Sequence, residues 1–202
     1  MTEELVVATC KEDLSWIDDH ARTFDKVTVY DKCGEKPTFK SPNVEVQSLP
    51  NIGSCDNAFL TYIVDRYDSL PNKVEFTKGS APPNHKYLEC VHCPARDCGV
   101  LNMKLHDWKF SHNRSQEFPF VPTPYKDMRE WVENHDVLSP RVFEHTCCNI
   151  IYMGHFGATR EQIHNANRET YESLRSEQHH TNEEVDHFIE RTWRPLFCHK
   201  HN

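Results

Sequence analysis

The chain has 202 residues, 37% of them apolar and 27% charged, and a net charge of −8. That is enough chain for one compact domain or two tightly fused lobes, and with no apolar stretch near the roughly 20 residues of a bilayer span it excludes a transmembrane protein. The acidic balance repels polyanions, so nucleic acid is not an expected partner. The start of the chain, Met1 to Trp16, lacks a signal peptide's basic region, which points to the cytoplasm.

In chain order, Leu5-Val6-Val7-Ala8 reads as a buried parallel strand that ends in the polar Thr9-Cys10-Lys11-Glu12. Asp13 is placed to cap a helix with Leu14, Ile17 and Ala21 on one face. Val27–Tyr30 is a second strand ending at Asp31-Lys32, and Val44–Val46 a third. The turn Asn51–Ser54 leads into a helix with Phe59, Leu60, Ile63, Val64 and Tyr67 at helical spacing. Leu70-Pro71-Asn72 stops it, and Lys73–Thr77 is a fourth strand running into Lys78-Gly79-Ser80. This β-α-β-β-α-β order predicts an α/β fold, a mainly parallel sheet flanked by helices, with ligands beyond the carboxyl ends of the strands.

From 81 to 125 the pattern fails among prolines and cysteines, so this stretch reads as a Cys-rich loop. A helix follows around Asp127–Asn134, then a strand at Cys147–Met153. Thr159-x-x-Gln162 is a capping box opening a helix that reaches Glu177 with a break near Asn165–Asn167. Thr181-x-x-Glu184 is a second box, opening a last helix with Val185, Phe188, Ile189 and Trp193. Nine cysteines without an export signal suggest reduced thiols or a metal site in preference to a disulfide framework.

Leu49–Asn57 with its helix, and a strand ending at Lys78-Gly79, resemble the layout of GT-A nucleotide-sugar transferases. In that fold the strand usually ends in Asp-x-Asp, whose acids hold a divalent cation, Mn2+ or Mg2+, against the diphosphate. Here Lys78 stands at that place: either it lends its own charge to the diphosphate, or the metal ligands come from elsewhere, such as Asp31 or Asp56, and the plainer reading of Lys78 is a solvated strand-end lysine. Glu12-Asp13-Leu14-Ser15-Trp16, Leu49–Gly53, Leu60–Ile63 and Tyr67–Pro71 also resemble the domain of unknown function 3431 family. So do Cys147-Cys148, Arg160–Ile163, Tyr171–Leu174 and Glu190–Trp193 further on. That family, found in fungi, plants, bacteria and large DNA viruses, looks like a GT-A group, which would mean host cytoplasm for a viral chain. Two departures stand out: Ser54-Cys55 where the family tends to carry Arg-Glu, and Lys78 where it tends to carry Gln or His.

The resemblance implies a single GT-A-like domain over 1–202: a nucleotide-binding half at 1–80, the loop at 81–125 and an acceptor-side half at 126–202. It implies a donor site of Thr9, Glu12, Asp13, Asp31, Asn57, Lys78 and Gly79, with the carboxylates facing base and ribose; Asp13 as a helix cap and Asp31 as a turn aspartate are the plainer readings. A general base would come from Asp186 or Glu190, one helical turn apart, unless Glu190 merely pairs with Arg191 or Arg194. Glu144 is a further candidate for the base, while His145, His155 and His187 are candidate partners of a metal or the diphosphate. Trp108, Trp131 and Trp193 stack on ligand or belong to the core. Cys90-x-x-Cys93 with Cys98, His92 and His106 has structural-zinc spacing, or else holds reduced thiols. The expected activity is transfer of a sugar from a UDP- or GDP-linked nucleotide sugar to a hydroxyl of a glycan or protein acceptor. The alternative is a zinc-stapled binding module with a degenerate donor site.

Overall fold

Alternation along the first strand decides the layering. β1 (Glu3–Thr9) turns Val6 and Ala8 to one face and Leu5 and Val7 to the other, all of them buried. The computed structural model describes residues 1–83, 120–135 and 154–198. Cys90, Cys93 and Cys98, with His92, His106, Trp108, Glu144, His145 and the strand expected at Cys147–Met153, lie outside the described residues.

β1 sits between β2 (Lys26–Asp31) and β4 (Lys73–Lys78), parallel to both. β3 (Val44–Ser48) adds parallel to β2, and β5 (Phe156–Thr159) adds antiparallel to β4, so the five-stranded order is β3-β2-β1-β4-β5. The mainly parallel sheet flanked by helices is therefore as expected. β5 was not legible in advance: its four residues contain a glycine and no β-branched run, and it is a strand because Phe156 pairs with Phe76 on the free edge of β4.

The larger core lies under α2 (Ser54–Arg66), α3 (Met128–Glu133), α4 (Arg160–Ile163), α5 (Arg168–Ser176) and α6 (Glu184–Cys198). α2 is buried continuously from Cys55 to Val64, because the sheet covers one side and the later helices cover the rest. The break expected near Asn165–Asn167 is real. Thr159 and Gln162 form the capping box of α4, and Asn167 caps α5 by accepting from Thr170 N. At α6 the reciprocal bond runs two residues later than the expected Thr181–Glu184 pair, from Glu183 N to Asp186 Oδ2. Trp131 and Trp193 are core residues, fully buried.

The opposite face is thin: α1 (Ile17–His20) and the 3-10 turn Ala21–Thr23 cover Leu5, Val7, Val27 and Val29. Here the expectation of a helix capped by Asp13 needs correction. The N-cap position is Trp16, without a side-chain cap, and Asp13 Oδ1 accepts from Ser15 N in a local turn. Glu12 pulls the chain inward by accepting from Cys10 N and Lys11 N, which postpones the helix until Ile17.

The expectation of reduced thiols also fails at one place. Cys10 and Cys33 form a disulfide, their Cα atoms 4.7 Å apart and 23 residues apart in sequence. Parallel pairing of β1 with β2 sets Thr9 against Asp31, so the residues just beyond both strand ends are neighbours. Replacing both cysteines by serine is expected to lower stability by about 2–3 kcal/mol through the freed unfolded chain. Urea unfolding of the double variant and of the oxidised parent measures it, and identical midpoints would mean the bridge contributes nothing.

Candidate functional site

The strand order reverses direction at β1, since β2 and β3 lie on one side of it and β4 on the other. Open α/β sheets bind ligands outside the carboxyl ends at such a reversal. Register brings the sequence candidates together there: Thr9 is opposite Asp31, and Ala8 is opposite Lys78.

A cleft of about 360 Å³ opens at this rim, walled by Thr9–Ser15 on one side and by Glu35 and Pro37–Phe39 on the other. Its floor is closely packed. Thr9, buried, donates through Oγ1 to Glu12 Oε2 at 2.8 Å, while Gly79 N donates to Ala8 O and the Trp16 indole donates to Gly79 O. A Cβ at Gly79 would lie 2.8 Å from Thr9 Oγ1 and 2.9 Å from Leu14 Cδ2, so this glycine is required by close approach.

Two of the expected ligand carboxylates instead organise the walls. Against burial, which raises it, the Cys10 amide, Thr9 hydroxyl and neighbouring amides hold the Glu12 carboxyl below its ordinary range. Asp31 is 1% exposed and accepts from Cys33 N, Gly34 N and Lys36 N, the last of these a residue with φ +51°. Those amides outweigh burial and keep Asp31 ionised, so the turn reading of this residue describes what it does. Asp18 ties the far wall to α1 by accepting from Lys40 N and Ser41 N. Asp13, exposed, lines the cleft mouth.

Behind the cleft, the amino end of α2 gathers charge from three elements. Lys32, 7% exposed, donates through Nζ to Ile52 O at 2.6 Å and to Ser54 O. Burial pulls its pKa down, and Cys55, Asp186, Asp56 and Glu12 oppose that. Asp56 is buried and accepts from Trp193 Nε1 at 2.6 Å and from Ser54 Oγ at 2.8 Å. Burial, with Glu190 nearby, pushes its carboxyl up to about 6. Asp186 accepts from Gln178 Nε2 at 2.8 Å and from Glu183 N, and burial with the Asp56 charge pushes it up to about 7. Buried Cys55, its thiol pushed up by burial, lies within the fields of both Lys78 and Lys32. Beside Lys78, His155 shares a 2.6 Å hydrogen bond with Thr77 Oγ1, and burial and the lysine both lower its pKa.

Asp186 and Glu190 both couple electrostatically to Asp56, as Lys78 does, but neither lines the cleft. Glu190 lies 3.8 Å from Arg191 and keeps 15% side-chain exposure. Asn57 does not face the cleft: it is buried and donates to Gln178 Oε1. His187 packs edge-on against Phe120 and gives its carbonyl to Arg191. Sequence reasoning passed over Lys32, named Asp56 only as an alternative metal ligand, and passed over Gln178. The first two carried a weak signal, a lysine at a strand end and an aspartate in a helix's first turn. Gln178, in a connecting segment, carried none. Among the described residues, no three His, Cys, Asp or Glu side chains converge to hold a metal ion.

Residues 5–87 match the family described as Protein of unknown function (DUF3431). The matched stretch covers less than half of the chain, yet it contains β2 through β4 and all of β1 from Leu5 on, both cleft walls and the amino end of α2. The later segments that resemble the same family lie beyond it. No curated protein and no solved structure matches the chain.

The buried carboxyls make stability depend on pH. Asp56 and Asp186 bind protons more tightly in the native state than in the unfolded chain, so their contribution falls as pH rises from about 4 through 6 and 7. Asp56→Asn keeps an acceptor for Trp193 and offers a donor to Ser54 Oγ. It is expected to raise stability at pH 8 by roughly 1–2 kcal/mol and to flatten the decline between pH 5 and 8. Urea unfolding at both pH values measures this, and an equal change at each would refute the linkage.

Proposed function

We propose that this chain transfers a sugar from a nucleoside-diphosphate donor to a hydroxyl of a glycan or protein acceptor, using a GT-A-like fold. The observation that carries the reading is an open cleft beyond the carboxyl end of β1, with Lys78 ending the neighbouring strand and the buried Lys32, Asp56 and Asp186 coupled at the amino end of α2. A cleft of this size suits a nucleoside, and its acidic lining favours the uncharged base and ribose over phosphate. The diphosphate lies toward Lys78, whose ammonium balances the charge that develops as the bond from phosphate oxygen to anomeric carbon breaks. The acceptor oxygen bonds to that carbon and gives its proton to Glu190, the more exposed of the two α6 carboxylates. Asp186, with both oxygens bonded, holds the α6 terminus in place.

The strand end Lys78-Gly79-Ser80 offers an ammonium where a divalent cation needs oxygen ligands, so it does not fit Mn2+ or Mg2+, and no step passes through one. The same departure favours the second reading, a zinc-stapled binding module with a degenerate donor site, whose cysteines lie outside the described residues. Among the described residues no helix is long and apolar enough to cross a membrane. The Cys10–Cys33 bridge fits an oxidising compartment better than the expected cytoplasm.

Calorimetry with UDP- and GDP-sugars, with and without Mn2+, tests the proposal. Binding without metal is expected, and Lys78→Ala is expected to weaken it about tenfold or more, a loss of about 1.4 kcal/mol. Failure of every nucleotide sugar to bind at millimolar concentration would overturn the reading. Stoichiometric zinc in protein that binds no nucleotide would support the binding module.

A further inference from the structure

A second cavity, of about 340 Å³, is lined by Val121–Tyr125 and by Glu177, His179, His180, Glu183 and Val185. Its roof is fixed by backbone pairing of Val121 with Asn182 and Glu184, and by Thr123 N donating to Glu184 Oε2. Its carboxylates are held in place before any ligand arrives. Glu183 accepts from His179 N at 2.7 Å, and Glu177 accepts from Trp131 Nε1 at 2.7 Å and pairs with His135. Each carboxylate has more lone pairs than these bonds use.

We infer that this cavity binds a neutral carbohydrate, its ring face on Tyr125 and its hydroxyls on Glu183 and the two histidines. A tyrosine ring beside prolines offers a flat apolar wall for the C–H face of a sugar. Pre-positioned carboxylates and imidazoles suit hydroxyl groups, and the carboxylates disfavour phosphate. The volume falls within the usual range for small-ligand sites. The lining backbone also fixes the rim: His180 O accepts from Gly53 N, and Glu183 N donates to Asp186 Oδ2. An occupant therefore presses on the segment that positions α6 and the amino end of α2. Carbohydrate binding in the cavity does not rest on the transferase reading.

Saturation-transfer NMR with maltose, lactose and cellobiose tests it, with UDP as an independent probe of the rim. At least one disaccharide is expected to give a signal that falls fivefold or more in Tyr125→Ala and by at least half in His180→Ala, with UDP binding unchanged. His180 is exposed, so its variant keeps the test open if loss of Tyr125 impairs folding. No disaccharide signal from the parent protein, or one that both variants preserve, overturns the inference. Displacement of the sugars' signal only by UDP, at the rim, also overturns it. A Tyr125-dependent signal in protein that binds neither UDP nor any nucleotide sugar supports the cavity as a carbohydrate site while removing the transferase reading.

Discussion

Lys32→Met is expected to destabilise the protein by about 3–5 kcal/mol at neutral pH, the usual consequence of removing one partner from a buried charge cluster. The substitution leaves Ile52 O and Ser54 O without their donor in a region closed to water. It also removes a cation coupled to Asp186 and Asp56, whose carboxyls already sit at about 7 and about 6 because of burial. Without Lys32 both bind protons more tightly still. The loss should therefore be greatest above pH 7, where the native state must ionise them, and smaller near pH 5, where they are protonated. Urea unfolding of Lys32→Met at pH 5 and pH 8 measures the difference. Asp186→Asn in the same background should recover part of the loss at pH 8. If the destabilisation is the same at both pH values, Lys32 acts only through its hydrogen bonds.

Gly53→Ala is expected to cost about 3 kcal/mol or more for a different reason. Gly53 has φ +61°, where any residue with a Cβ is strained by roughly 1–2 kcal/mol. That Cβ would also fall 2.5 Å from Gln178 Cδ and 2.6 Å from Nε2, a distance real structures do not accept. Gln178 would have to move, and it cannot do so without loss. It bonds Asn57, Gly53 O and Asp186 at once, all in buried positions. Overpacking typically adds another 1–3 kcal/mol. Gly53→Ala should consequently lower the melting temperature and disturb ligand binding at the rim together. A variant as stable as the parent would mean that the Gln178 segment is free to shift, and the coupling of the cavity to the rim would go with it.

These two residues mark the difference between what was legible and what was not. Helix breaks could be read from local chemistry, because a cap acts within a few residues: Thr159 with Gln162, and Asn167 with Thr170, are such cases. The parallel strands could be read because burial on both faces demands continuous apolar runs such as Leu5–Ala8. Glu12 and Asp13 are both expected at the base and ribose, Asp13 with a helix cap as its plainer reading, but Glu12 anchors a turn and Asp13 lines the cleft. Asn57 was assigned to the ligand and instead joins α2 to Gln178, its partner 121 residues away.

The sequence by itself determined the parallel β1 to β4 layout, the helix boundaries set by caps, and the rim on which Thr9, Asp31 and Lys78 meet, since strand period and capping chemistry are local. Only the tertiary structure decided that Cys10 pairs with Cys33, that Lys32 faces Asp56 and Asp186, and that Gln178 locks Gly53. Those depend on which strand ends and helix termini become neighbours, and burial then converts ordinary side chains into coupled ones by removing the water between them.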